Sequence, residues 1–203
     1  MTAHDGFVHD TADVASDAKV SAGTKVWHYA QVREKASIGA NCIIGRGAYI
    51  GSGVEIDDNC KIQNYALVYE PARLGRGVFI GPAAVLTNDH FPRAINADGT
   101  PKSAEDWHPV GVEILEGASI GASATCVAPV KIGRWALVGS GAVVVKDVPD
   151  FALVVGSPAR RVGWVGTAGK PLMQRDDGIW VCPATGALYR EVASDALVEV
   201  EME

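Results

Sequence analysis

A six-residue period dominates this chain. Counting in sixes from Val8 gives Val14, Val20, Val26, Val32, Ile38, Ile44, Ile50, Ile56, Ile62, Val68, Leu74, Ile80 and Leu86, all of them aliphatic. A second run holds Ile114, Ile120, Cys126, Ile132, Val138 and Val144. Four residues after each aliphatic comes a small one, from Ala12, Ala18 and Thr24 through to Ala136, Ala142 and Val148. That residue stands two before the next aliphatic, so both point to one face of a short strand. A period of six does not keep one face of a 3.6-residue helix, so a helical reading fails. Short parallel strands joined by corners and stacked as a β-helix remain. Glycine often follows the aliphatic, as at Gly39, Gly45, Gly51 and Gly81, and is expected there to supply the backbone angles of a tight corner.

The gap from Leu86 to Ile114 is 28 residues, four more than a multiple of six, so an insertion spanning 87–109 breaks the phase. Inserted loops of this length are usually functional. This one brings His90, Arg93, Lys102, Trp107 and His108 together between Pro92, Gly99, Pro101 and Pro109. The repeat ends near residue 165. The expected organisation is a β-helix domain over 1–165 and a C-terminal extension over 166–203, read as a small hairpin that packs on the β-helix or caps a trimer. Its WVCPATG stretch has the look of a metal-ribbon hairpin, but a single cysteine cannot build that site.

The 203 residues are 48% hydrophobic and 21% charged, with a net charge of −6. This describes a folded chain without the basic face that nucleic acid or an anionic membrane surface requires. An anionic ligand must then be met by locally placed Lys and Arg. No apolar run reaches membrane-spanning length, and MTAHDGFVHD lacks the basic and apolar regions of a signal peptide. A cytoplasmic location is expected. Cys42, Cys60, Cys126 and Cys182 form no C-x-x-C pair, so no zinc site or disulfide framework is indicated. The first three occupy inward registers and read as packing residues.

The repeats resemble the hexapeptide-repeat acyltransferases over roughly residues 8–165. The resemblance implies a left-handed triangular prism with three hexapeptides per coil and, for twenty hexapeptides, between six and seven coils. It also implies a homotrimer with active sites between subunits, and acetyl-CoA as co-substrate without a metal. The segment TND-x-x-PRA followed by N-x-DG-x-x-K-x-x-x-DW, with VWHYAQV, KIQNYALVY, KDVPDFALVVG and SPARRVGW, is similar to N-acetyltransferases of nucleotide-linked 3-amino sugars. The favoured acceptor is a TDP-3-amino-3,6-dideoxyhexose. A UDP-linked 2-acetamido-3-amino uronic acid and O-acetylation of another sugar are the alternatives within the enzymes. Outside them stand a γ-type carbonic anhydrase, which His28, His90 and His108 are poorly spaced to support, and a noncatalytic β-helix scaffold.

On this resemblance, Asn88 and His28 are the catalytic candidates. Asn88 would orient the acceptor; His28 would support the sugar or accept a proton, or is an exposed corner histidine. With 18 residues per coil, His28, Arg46, Asn64 and Pro82 share one corner, neighbours being ~4.8 Å apart. Asn88 takes the equivalent turn position on the following corner. Asn64 and Asn88 also suit corners because Asn tolerates left-handed backbone. Arg46, Asn64, Tyr69, Asp89, Arg93 and Trp107 are candidate substrate contacts. Arg93 offers a planar fork to a carboxylate or phosphate, or ties down its own loop. Trp107 and Lys102 would meet the base and phosphates, or anchor the loop. Lys146, Arg160 and Arg161 fall where the family binds the phosphates and adenosine of coenzyme A. No activated Ser or Cys nucleophile is evident, so direct attack of the amine on the thioester is expected, with no residue assigned as an obligatory base.

Overall fold

The computed structural model describes residues 6–200; the outermost residues of both expected segments, and the start of the stretch read for a signal peptide, lie outside them. The period folds as the spacing requires. Each two-residue strand pairs in parallel with the strand one coil on, as Lys25–Val26 does with Ile43–Ile44 and Leu67–Val68 with Val85–Leu86. Three flat faces result, and the fold is a left-handed parallel β-helix. The first face begins at Phe7–Val8, the second at Asp13–Val14 and the third at Lys19–Val20. They carry nine, seven and six strands, the ninth strand of the first face being Arg160–Trp164, which turns back antiparallel to Ala152–Val155.

Both inward registers are buried, the aliphatics from Val20 to Val144 and the small residues from Ala18 to Ala142. Small residues are needed because three faces converge on a narrow axis and interiors pack without voids. Thr24 is the polar exception, and it is satisfied: its hydroxyl donates to the Gly39 carbonyl at 2.7 Å and accepts the Cys42 N–H at 2.8 Å. The Cys42 and Cys60 thiols donate to the carbonyls of Asp57 and Gly75, both at 3.2 Å. Burial pushes the Cys126 thiol up to about 12. All three are buried within the core.

The corners correct one expectation. The glycines directly after the aliphatics do not supply the left-handed backbone. That conformation falls two residues later, at Tyr29, Asn41, Gly47, Asn59, Tyr65 and Trp135 among others. The earlier glycines are required by the close stacking of coils. A Cβ at Gly39 would stand 2.6 Å from the Asp58 nitrogen, and one at Gly81 2.6 Å from the Ala122 nitrogen. Asn64 is corrected with them: the left-handed residue of its corner is Tyr65, and the Asn64 side chain instead accepts the Arg46 N–H of the coil beneath at 2.9 Å. Asp58 and Asp150 do the same for Ala40 and Arg134.

The insertion leaves the second edge, between the second and third faces. Thr87 still belongs to the ladder, donating its N–H to the Cys126 carbonyl and accepting the Ala128 N–H on its hydroxyl. The neck closes where Val110 N–H meets the Asn88 carbonyl at 3.2 Å, and Val112–Ile114 resumes the third face beside Arg73–Leu74.

The extension is a four-stranded antiparallel sheet rather than a single hairpin: Met173–Gln174, Trp180–Val181, Leu188–Ala193 and Ala196–Val200. Two strands cannot cover the open end of a prism, whereas this sheet lays buried Tyr189 on Phe151, ring centroids 5.4 Å apart. At the opposite end Val8 and Val14 are only half-buried. The terminal repeats of a solenoid need such covers.

Candidate active site

The prism sorts the sequence candidates onto two edges. The first edge, between the first and second faces, carries His28, Arg46 and Asn64 on successive coils, as the backbone bonds from Gly47 to His28 and from Tyr65 to Arg46 require. Aromatic groups crowd it. His28 stacks on His9 at 3.5 Å between centroids, and Trp27 lies alongside at 6.2 Å. The Arg46 guanidinium sits over the Tyr29 ring at 4.9 Å and donates from Nε to the Tyr65 hydroxyl at 3.1 Å. Asn64 is committed to its cap. This edge is an exposed row of rings with one stacked cation.

The second edge gathers the remaining candidates. Strand register aligns Tyr69 with Thr87, and so Glu70 with Asn88, on neighbouring coils. Above them the ladder aligns Asn88 with Ala128 and Ala128 with Lys146. At the strand spacing, Asn88 lies ~10 Å below Lys146. Lys146, Arg160 and Arg161 line one cleft of about 320 Å³ with Pro149, Ala159 and Asp195. The sequence cluster is therefore real in space. Within it, Lys146 and Arg160 are exposed and not drawn into ion pairs among the described residues, whereas Arg161 is engaged. Arg161 donates to the Ser194 carbonyl at 2.7 Å, reaches Glu191 and Asp195 at 3.6 Å, and covers the Trp164 ring at 4.2 Å.

The foot of the insertion stands on the same edge. Half-buried Tyr69 packs on Tyr49, rings 5.0 Å apart, and burial, reinforced by the negative charge of Glu70, raises the Tyr49 hydroxyl above its usual range. Gly111, on the return limb, lies so close over Pro71 that a Cβ would stand 2.8 Å from its carbonyl oxygen. Within the loop, Asp89 accepts the Phe91 N–H at 2.8 Å. Ser103 and Asp106 cap the short 3₁₀ turn Ala104–Asp106 reciprocally. The Ser103 bonds hold the Asp106 carboxyl below the usual range, and Thr100 does so for Asp98. Arg93 donates to the neighbouring Pro92 carbonyl at 2.9 Å and remains exposed. Trp107 and Lys102 are half-buried, while Phe91 stacks on His90 and is 76% exposed.

His28 and Asn88 do not meet within one chain. They occupy different edges, three coils or ~14 Å apart along the axis. Sequence reasoning passed over the exposed rings of Trp27, Tyr29 and Tyr65. Register would have found two of them, because Tyr29 and Tyr65 stand two coils apart in one column of the first edge.

The bacterial transferase hexapeptide family (six repeats) matches residues 17–52. The chain is similar to the bifunctional protein GlmU of Alkalilimnicola ehrlichii, 34% identical over 155 residues, covering 74% of this chain and 33% of that protein. It is also similar to the serine acetyltransferase of Escherichia coli K12, 36% identical over 118 residues, covering 54% of this chain and 42% of that protein. Among solved structures, WeeI from Acinetobacter baumannii AYE superposes with a TM-score of 0.52 at 26% identity, covering 70% of this chain and 56% of that one. The chain thus spans about a third of the length of the first curated relatives it matches.

Proposed function

We propose that this chain, whose residues 17–52 match the bacterial transferase hexapeptide family, is an acetyl-CoA-dependent N-acetyltransferase acting on the 3-amino group of a nucleotide-linked amino sugar. The observation that carries this reading is the arrangement of the second edge. A cleft that carries Lys146 and Arg160, with Asp147 and Asp195 also on its walls, lies two coils above Asn88 and the foot of a polar insertion. A donor with an anionic head and a long flexible arm can then lie along the edge, its head held at the cleft and its thioester directed down toward Asn88. Similarity to a serine acetyltransferase supports acetyl transfer to an amino or hydroxyl acceptor. The TND-x-x-PRA and DG-x-x-K-x-x-x-DW signatures favour a 3-amino sugar, with a TDP-3-amino-3,6-dideoxyhexose first and a UDP-linked 2-acetamido-3-amino uronic acid second.

The chemistry asked of the edge is modest. A neutral amine attacks the thioester carbonyl, a tetrahedral oxyanion forms, the C–S bond breaks, and coenzyme A leaves. Positioning and a hydrogen-bond donor to the oxyanion supply most of what is needed. Asn88 orients the acceptor, with Tyr69 and Asp89 beside it, and Arg93 and Trp107 of the insertion are the groups assigned to the nucleotide. Because His28 and Asn88 lie on different edges, a homotrimer in which a neighbour's first edge faces this second edge would bring both to one acceptor.

The test is transfer from acetyl-CoA to a panel of TDP- and UDP-linked sugars bearing a 3-amino group, a 4-amino group or hydroxyls alone, with products read by mass spectrometry. The reading expects a singly acetylated product from at least one 3-amino sugar and none from its hydroxyl counterpart. Acetylation of the hydroxyl sugars alone would replace it with an O-acetyltransferase.

A further inference from the structure

Exposed aromatic rings gather on the first edge. Trp27, Tyr29 and Tyr65 lie along it and Phe7 beside its start, and they are 37%, 59%, 55% and 49% exposed. Among the described residues, Phe91 of the insertion is the one other Phe, Tyr or Trp exposed to that degree. A clustered apolar surface of this kind marks a binding site. The rings are also ordered. Trp27 and His28 lie parallel to within 4°, their centroids 6.2 Å apart. The coil beneath backs both, His9 against His28 at 3.5 Å and Phe7 against Trp27 at 5.6 Å. Strand register sets Gly45 one coil above Trp27, where no side chain can compete for the indole. Beside these rings stands Arg46, exposed, with its guanidinium 4.9 Å from the Tyr29 centroid and its Nε donating to the Tyr65 hydroxyl at 3.1 Å. Its two terminal nitrogens make no hydrogen bond or ion pair among the described residues. Parallel rings suit a flat heteroaromatic base, and a guanidinium with its fork unspent suits a phosphate. Arg46 lies one coil above His28, ~4.8 Å along the axis, so the two needs of a nucleotide are met in adjacent coils.

We propose that the first edge binds the nucleotide end of the acceptor, its base stacked on the Trp27 and His28 rings and its diphosphate met by Arg46. This rests on the nucleotide-linked acceptor of the reading above and narrows it: the base belongs to Trp27 rather than Trp107, and Arg93 of the insertion keeps a share of the phosphates. The sugar then extends away from the first edge toward Asn88 on the second edge of the subunit that faces it. His28 touches the ligand as part of a stacking surface, with no proton to move. Its partner His9 holds it in that orientation, so the surface is formed before the base arrives and little ordering is spent on binding.

Calorimetric titration of the full chain with TDP and with UDP, without acetyl-CoA, tests the site. For whichever diphosphate the parent binds, Trp27→Ala should weaken the affinity by about 5- to 150-fold, the range for losing one base–aromatic stack. Trp27→Phe, which keeps a ring, should recover most of it. Arg46→Gln should weaken the diphosphate more than the monophosphate of the same nucleoside, because it removes a charge and leaves the rings. Sedimentation and melting temperature of Trp27→Ala should match the parent's. A Trp27→Ala protein that binds within about twofold of the parent overturns the assignment and leaves the acetyltransferase reading standing. A large loss in Trp107→Ala with none in Trp27→Ala does the same and returns the base to the insertion. Weakened affinity accompanied by dissociation of subunits shows that the rings bury against a second copy, and overturns it equally. A parent that binds neither diphosphate overturns both this site and the nucleotide-linked acceptor.

Discussion

The prism and the loop that leaves it obey opposite rules. In the prism every sixth side chain is buried, every coil bonds the next, and Ile62 or Ile80 is fully enclosed. In the insertion, nearly every residue from 90 to 109 is exposed, and order comes from local devices such as the Ser103–Asp106 box and the Asp89 turn. The prism buries apolar surface worth ~1.5–3 kcal/mol per large side chain. The loop buries almost nothing and is held at a neck where Asn88 meets Val110 at 3.2 Å. Stability and site thus reside in different stretches of chain, and each can be disturbed without the other.

The sharpest break of that comparison is a pair of changes. Ile80→Asp places an unpaired charge in the enclosed core, at a cost of several kcal/mol against a total stability of about 5–15 kcal/mol, and should leave no folded soluble protein. Excising 90–108 and joining the neck with a short Gly-Ser link should leave the circular-dichroism melt within a few degrees of the parent, because the neck residues already touch. The excised protein should nevertheless lose more than about 100-fold in kcat/KM on the acceptor, since the groups that position it are gone. A loop deletion that unfolds the prism would show that the insertion bears on stability after all.

A finer division separates two asparagines at equivalent corner positions. Asn64 caps the Arg46 amide of the coil beneath, so Asn64→Ala should cost ~1 kcal/mol of stability and little turnover. Asn88 stands at the loop's neck on the edge assigned to the acceptor. Asn88→Ala should spare stability and lower kcat/KM by about 5- to 150-fold, the loss of a neutral orienting hydrogen bond. Chemical denaturation alongside steady-state kinetics distinguishes them. Equal behaviour of the two variants would erase the distinction between the edges.

The prism was legible in the sequence because its signal is repetitive and chemically blunt: aliphatic at one position and small at another, wherever the axis demands it. The resemblance added handedness, which spacing does not contain. Corner chemistry was read less well. Glycine after the aliphatic looked like a conformational requirement, but the coil above it dictates its presence, and such a contact is made between residues 16 or more apart. The Lys146, Arg160 and Arg161 cluster was visible as a group of charges. That Arg161 is spent on Ser194, Glu191 and Asp195 was not, because the partner sheet lies about thirty residues away and carries no repeat. Tyr29 and Tyr65 were missed for a simpler reason: each was judged as a residue in a motif, while its meaning comes from sharing an edge with Arg46.

The central claim is that donor and acceptor share the second edge. A crystal structure with coenzyme A and an amino-sugar nucleotide bound together tests it most directly. The account predicts the coenzyme's phosphates against Lys146 and Arg160, its sulfur running down the second edge, and the sugar nitrogen beside Asn88. Coenzyme A on the aromatic row of His28, Arg46 and Tyr65, or a sugar nitrogen remote from Asn88, would contradict it.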